Sequence, residues 1–165
     1  MKIKLLKDCI QDVPKDTRLM GLDLGSKTIG VAVSDSMQNL ATPITTIKRI
    51  KFSKDILALH EIIKEFDIGG YIIGLPLNMD GSEGPRCDAT RSFADEMTKN
   101  PDIFGAHSSP RPFIAYVDER LSTHAVDDFL DKSVNMRRKN RKEVIDKLAA
   151  QVILQEALFY TPRFL

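Results

Sequence analysis

The stretch that decides the fold is RLMGLDLGSKTIGVAVSD, residues 18–35. Residues 19–24 are apolar on both sides of the strand alternation, as expected for a strand that is buried on both faces. Gly25, Ser26 and Lys27 supply a tight turn, and residues 29–34 form a second apolar segment. The pattern therefore predicts a β-hairpin, with Asp23 as a carboxylate inside its first strand.

Strand-like and helix-like segments follow this hairpin along the chain. Residues 41–50 are rich in Thr and Ile and predict a third strand, which completes an antiparallel meander. The remaining elements are predicted from apolar spacing: strands at 71–74 and 113–117, and helices at 56–66, from 88 onward, from Ser122 or Thr123 to Leu130, and from about Glu143 to Phe159. This order predicts an α/β fold, a mixed sheet with helices packed on its faces.

Composition limits the classes of protein to consider. The 165 residues carry 24 Lys plus Arg and 23 Asp plus Glu, so a formal charge of +1 excludes global charge attraction to nucleic acid or membrane. We expect one cytoplasmic domain over residues 18–160, a lead-in at 1–17 and a tail at 161–165, since no apolar run could span a bilayer. Cys9 and Cys87 are far apart and indicate neither a disulfide framework nor a zinc site.

Four carboxylates occupy positions that favour chemistry. Asp23 lies in an apolar strand, where a charge is costly unless it is compensated, and Asp118 and Glu119 directly follow another apolar strand. Asp146 lies on the small-residue face of the last predicted helix. Each acid by itself could cap a turn or complement a helix N-terminus. Together they predict a site for one or two Mg²⁺ or Mn²⁺ ions, and two such ions can promote phosphodiester hydrolysis.

Four motifs in this order and spacing resemble a known family: GLDLGSKTIGVAVSD (21–35), IIGLPLNMDGSEGPR (72–86), VDERLST (117–123) and VIDKLAAQVILQ (144–155). The family is the YqgF family of RuvX-type Holliday junction resolvases, also described as nucleases of pre-16S ribosomal RNA. The resemblance covers about residues 18–158 and implies a ribonuclease H-like fold with a five-stranded mixed sheet whose first three strands are antiparallel. It also implies that Asp23, Asp146 and one acid of the DER motif bind metal, with Glu119 favoured over Asp118. We expect two ions at these acids.

Several other residues are candidates for holding substrate. Thr28 stands where the family often has Arg, and the neighbouring Lys27 could partly replace that charge at a phosphate. Arg120 could clamp a phosphate or form a structural ion pair. The loop at 75–86 could present its backbone to a phosphate, and the basic segment at 132–142 could neutralise phosphates beside Asp146. The substrate-binding candidates are Lys27, Thr28, Asn78, Gly81, Arg120, Arg137, Arg138 and Arg141.

The leading functional prediction is a metal-dependent endonuclease, with Asp23, Asp118 or Glu119, and Asp146 as catalytic acids. Its expected substrate is precursor 16S ribosomal RNA, and the alternative is a Holliday junction, which would require a homodimer rather than a monomer. A non-catalytic nucleic-acid binding module is a further alternative. A phosphotransferase is disfavoured because 165 residues are too few for the duplicated domain that such enzymes use.

Overall fold

The computed structural model describes residues 3–105, 111–119 and 138–161, with the backbone alone for 138–143. The predicted helix at 122–130, Arg120 and Arg137 lie outside these ranges, as do the side chains of Arg138 and Arg141. The strands are β1 (Lys4–Leu5), β2 (Arg18–Leu24), β3 (Thr28–Ser34), β4 (Ala41–Lys48), β5 (Ile68–Leu75) and β6 (Phe113–Asp118). The helices are α1 (Phe52–Phe66), α2 (Pro85–Thr98), the short α3 (Pro101–Phe104) and α4 (Arg138–Tyr160).

The described strands form one mixed sheet in the order β1-β6-β5-β2-β3-β4. Strands β2, β3 and β4 are antiparallel neighbours, as predicted, whereas β5 is parallel to β2 and β6 is parallel to β5. The sheet has six described strands rather than five, because β1 pairs in parallel with β6. A strand of two residues is too short to show a period-two pattern, so the sequence analysis did not predict it and assigned these residues to the lead-in.

Helices cover both faces of this sheet, as predicted. Met20, Leu22 and Leu24 of β2 belong to the apolar cluster that includes residues of α1, α2 and α3. Leu19 belongs to the second cluster, which is formed with α4. Side chains alternate along a strand, so Gly21 and Asp23 share the α4 face with Leu19. Among the described residues, no helix combines the length and apolar character needed to cross a membrane.

Three predicted helix starts were wrong by a few residues: α1 begins at Phe52, α2 begins at Pro85, and α4 already includes Arg138. Helix α1 ends at Phe66 because Asp67 adopts a left-handed conformation with φ 53°, and its N–H donates to the Ile63 carbonyl. Strand β5, predicted at 71–74, begins at Ile68 and includes Gly69 and Gly70; a Cβ on Gly69 would overlap Thr17. Helix α2 begins with Pro85 at its first turn, and α4 already includes Arg138, where the description resumes.

Candidate active site

Glu119 reaches Asp23 across an intervening strand. Asp23 is near the end of β2, Glu119 directly follows β6, and β5 lies between these two strands. A Cβ on Gly74 of β5 would overlap the Glu119 carboxylate and would lie 2.6 Å from Cδ1 of Ile153 on α4. The absence of a side chain at Gly74 therefore leaves the space through which Glu119 forms a hydrogen bond with Asp23.

Asp146 is brought to the same face by the close packing of α4 on β3. Gly30 is opposite Asp23 in the β2–β3 register, and a Cβ on Gly30 would overlap the backbone carbonyl of Asp146. The Thr28 hydroxyl donates a hydrogen bond to Oδ2 of Asp146 over 2.6 Å. Asp146 is close enough for its charge to raise the pKa of Asp23. The structure therefore brings Asp23, Glu119 and Asp146 to one area on the α4 face of the sheet.

Burial and mutual repulsion set the charge of this acid group. Burial, followed by the charge of Asp146, raises the pKa of Asp23 to about 6. Burial, followed by the charge of Asp23, raises the pKa of Glu119 to about 8. Because the pKa of Glu119 is the higher one, Glu119 donates the hydrogen bond and Asp23 accepts it. At neutral pH the two carboxyl groups therefore share one proton.

Asp118 lies beside this acid group, and its charge is one of the smaller causes of the raised pKa of Glu119. It pairs in register with Leu75 and follows Ile114 and Tyr116 in the strand alternation, whereas Glu119 follows Ala115 and Val117. The charge of Asp118 raises the pKa of Glu156 on α4, after the larger effect of burial. Asp118 lines a separate cavity with Tyr116 and Tyr160. The two consecutive acids of the DER motif therefore lie in different surroundings.

Arg86 is a cation that the sequence analysis did not select. It lines a cavity of about 250 Å³ together with Glu119, Asn78 and Gly84. Its charge lowers the pKa of both Asp23 and Glu119, which partly offsets the effect of their burial. Arg86 is exposed and has no hydrogen bond or ion pair with any other described residue. A cation in the first turn of α2 is unfavourable beside the positive end of the helix dipole. This unfavourable position is the feature that could have identified Arg86 as a functional residue.

The turn between β2 and β3 is held in place by Arg49, which follows β4 in the chain. Nη1 of Arg49 donates to the Gly25 carbonyl over 2.6 Å, and the Arg49 N–H donates to the Lys27 carbonyl over 2.8 Å. The buried Asp55 of α1 lies 3.8 Å from Nε of Arg49 and accepts the Ile50 N–H. Arg49 thereby holds the backbone that leads from Asp23 to Thr28, while the Lys27 side chain is exposed.

The predicted residues of the 75–86 loop shape that loop. The side-chain amide nitrogen of Asn78 donates to the Ser82 hydroxyl over 3.1 Å. The backbone carbonyl of Asn78 accepts the Gly81 N–H over 2.8 Å. Gly81 has φ 88°, a conformation that favours glycine, and it lines the cavity shared by Asp118 and Tyr160. Arg91 of α2 forms a bidentate salt bridge with Glu83 and lies over the ring of Tyr116, so the loop is tied to β6.

The acid group is not a ready-made cage for a metal. Among the residues that the structure describes, no three His, Cys, Asp or Glu side chains are arranged to hold an ion. Two carboxylates are already adjacent, and the third is hydrogen-bonded to Thr28. Mg²⁺ is usually held by one or two carboxylates together with water and substrate phosphates, so this donor set fits such an ion.

Comparison with known proteins identifies related sequences over almost the whole chain. The family described as "RuvX: Holliday junction resolvase" matches residues 17–160. A protein of Methylocella silvestris named "Putative pre-16S rRNA nuclease" is 51% identical over 142 residues, covering 86% of this chain and 81% of that protein. A protein of the same name from Paramagnetospirillum magneticum is 46% identical over 158 residues, covering 96% of each chain.

A solved structure shares the fold of this chain. The crystal structure of the yeast mitochondrial Holliday junction resolvase superposes with a TM-score of 0.51 at 12% identity, covering 92% of this chain and 82% of that one. Similarity at this level of identity concerns the fold alone. It confirms the predicted ribonuclease H-like architecture.

Proposed function

This chain belongs to the RuvX Holliday junction resolvase family, and on that premise we propose that it is a nuclease that hydrolyses phosphodiester bonds of structured nucleic acid. The observation that carries the proposal is the half-buried pair of Asp23 and Glu119, which share a hydrogen bond beside Arg86. Two adjacent, half-buried carboxyl groups destabilise the folded protein unless a proton or a cation offsets their repulsion. A catalytic role explains why the fold places these two carboxyl groups next to each other despite their repulsion.

The acid pair fits a divalent cation. Mg²⁺ or Mn²⁺ would replace the proton that Asp23 and Glu119 share, and Asp146 would join them while its Oδ2 keeps the hydrogen bond from Thr28. A bound ion would supply charge stabilisation at the scissile phosphate and would lower the pKa of attacking water. We keep two ions as the proposed number, which calorimetric titration of the protein with Mn²⁺ would measure. Asp118 is left out of the proposed metal ligands.

The chain's own residues orient the substrate. Arg86 lies at the cavity that contains Glu119, so its guanidinium is available to hold phosphate oxygens with two parallel hydrogen bonds. Lys27 projects from the fixed turn after Asp23 and can contribute a second positive charge. Thr28 orients Asp146 through its hydroxyl. Arg120, and Arg137, Arg138 and Arg141 of the basic segment, stay proposed phosphate contacts. Asn78 and Gly81 support the loop that leads to Arg86 at the start of α2.

We propose precursor 16S ribosomal RNA as the substrate and the cytoplasm as the place of action, because relatives 46–51% identical carry that activity in their name. A four-way DNA junction is the second candidate, favoured by the family description. The test is cleavage of an end-labelled precursor ribosomal RNA leader beside an end-labelled four-way junction, each with Mg²⁺, with Mn²⁺ and with EDTA. Metal-dependent cutting of the RNA supports the proposal. Cutting of the junction alone, with paired incisions by a homodimer, supports the second candidate.

Replacing Arg86 with Ala is expected to lower kcat/KM about 100-fold, the order of loss for one preorganised charged donor. Removing the positive charge also raises the pKa values of Asp23 and Glu119 further, so the activity profile should move to higher pH. Arg86→Lys should keep the pH profile and lose the bidentate contact. Lys54→Ala on the exposed side of α1 is the matched control. Equal kcat/KM for Arg86→Ala and Lys54→Ala would remove Arg86 from the site.

A further inference from the structure

A second cavity, of about 450 Å³, adjoins the proposed active site. Leu77 lines both this cavity and the one that contains Arg86 and Glu119, so the two are neighbours across a single side chain. Asp118, on the wall of the second cavity, is directly followed in the chain by Glu119. A nucleic-acid strand whose phosphate lies at Arg86 would therefore have its next nucleotide close to the second cavity.

The walls of this second cavity combine apolar surface with three polar features. Leu5, Leu77 and the buried Tyr116 supply apolar surface. Tyr160, in the last turn of α4, is 61% exposed at its edge, although a large aromatic residue is usually more buried than this. The exposed Lys7 and the carboxylate of Asp118 also contribute to the lining. These features match the parts of a nucleotide: the aromatic ring fits the face of a base, the cation fits a phosphate, and the carboxylate fits N–H donors on the edge of the base.

We propose that this cavity, here named the Tyr160 cavity, binds one unpaired nucleotide of the substrate next to the scissile phosphate. The base stacks on the ring of Tyr160, and Lys7 faces the sugar–phosphate backbone. A carboxylate only accepts hydrogen bonds, so Asp118 selects a base edge that carries N–H donors. Guanine has two adjacent donors on its Watson–Crick edge, and a carboxylate can accept both. Guanine is therefore the preferred base, and this assignment rests on the proposed nuclease function.

A paired base cannot use the cavity. Inside a duplex, the Watson–Crick edge is occupied and both faces of the base are stacked on neighbours, so the nucleotide must first leave the helix. Sequence-selective recognition of RNA generally uses such unstacked bases on aromatic side chains. The Tyr160 cavity thus favours a cleavage point beside a single-stranded segment over one inside a continuous duplex.

The test compares two RNA hairpins with the same stem, one blunt and one with a single-stranded extension that contains guanine. Binding is measured by fluorescence anisotropy in EDTA, where no metal-dependent cutting occurs, and the concentration dependence of cleavage in Mg²⁺ gives the same comparison. Tyr160→Ala should weaken binding of the extended hairpin about tenfold, in line with the loss of one stacked base, and should leave the blunt hairpin unchanged. Tyr160→Phe keeps the ring and should bind like wild type. Phe159→Ala removes the adjacent exposed ring and is the matched control.

Each result decides the matter. Equal losses for Tyr160→Ala and Phe159→Ala, or an equal loss on both hairpins, would overturn the Tyr160 cavity while leaving the nuclease proposal in place. Replacing the guanine with adenine should weaken wild-type binding and should have no effect on Asp118→Asn. A wild-type protein that neither binds the hairpins in EDTA nor cuts them in Mg²⁺ would overturn the proposed function itself.

Discussion

Replacing Glu119 with Gln is expected to abolish cleavage and, at the same time, to stabilise the metal-free protein above pH 7. Cleavage should fall about 1,000-fold or more, the order of loss for a group that acts in the transition state. The Gln side chain keeps the size of Glu and can still donate a hydrogen bond to Asp23, but it carries no negative charge for a cation. Opposite effects on activity and stability are typical of a site that is strained for function.

The pH dependence follows from the sign of the pKa shift. The pKa of Glu119 is raised from 4.5 to about 8 on folding, so the folded state holds the proton more tightly than the unfolded chain does. The resulting stabilisation is fully present below pH 4.5 and is lost as the pH rises through about 8. Between pH 5 and 9 the metal-free wild type should therefore lose on the order of 5 kcal/mol of unfolding free energy through this pair. Glu119→Gln should lose much less.

Urea denaturation in EDTA at several pH values measures this difference. Asp102→Asn removes an exposed carboxylate on α3, far from the acid group in the fold, and is the control for a general effect of charge. It should follow the wild-type pH curve and keep full cleavage activity. If Glu119→Gln instead lowers stability at pH 9, the carboxyl pair is not the repulsive element described above. Added Mg²⁺ should stabilise the wild type at pH 9 and leave Glu119→Gln unchanged.

Replacing Gly30 with Ala is expected to produce the largest loss of stability of any single methyl group added to the sheet. The new Cβ would overlap the backbone carbonyl of Asp146, which is rigid helix backbone rather than a flexible side-chain end. Helix α4 must move away from β3, at a cost of about 3 kcal/mol for overpacking. The movement also separates Asp146 from Thr28 and Asp23, so cleavage should fall together with the melting temperature.

Gly84→Ala is the matched control for this prediction. Its new Cβ would lie 3.4 Å from the nearest atom, Nδ2 of Asn78, which is an ordinary contact, and Gly84 has an extended backbone with φ −118°. Thermal unfolding followed by circular dichroism should show a melting temperature close to wild type for Gly84→Ala and a lower one for Gly30→Ala. Equal melting temperatures would contradict the close packing of α4 on β3.

Local patterns predicted the elements around the hairpin well. The segment at 18–34 is apolar on both faces and is interrupted by a tight turn, so β2 and β3 were predictable from residues close together in the chain. Strand β1 was missed because its two residues carry no periodic signal, and its partner β6 is more than 100 residues away. The helical residues 138–142 of α4 were missed because this basic stretch carries no apolar spacing.

The candidate site was less predictable than the fold, because its geometry depends on contacts between distant elements. The sequence indicated Asp23, Asp146 and the DER motif, but strand alternation alone left Asp118 and Glu119 as alternatives. The structure distinguishes them through Gly74, whose missing side chain lets Glu119 reach Asp23 over β5. Arg86 was overlooked because the sequence predicted it to lie in a loop, where an exposed arginine resembles any surface charge; the structure places it in the first turn of α2, beside Glu119.

The central claim is that Asp23 and Asp146, together with Glu119, form the reactive centre of a metal-dependent nuclease. It is tested most directly by cleavage of the end-labelled ribosomal RNA leader and four-way junction in Mg²⁺ or Mn²⁺, comparing wild type with Asp23→Asn and Asp146→Asn. We expect metal-dependent cutting by the wild type and none by either folded variant. Equal cutting by wild type and both variants would contradict the claim, as would a wild type that binds these nucleic acids and cuts neither with any divalent ion.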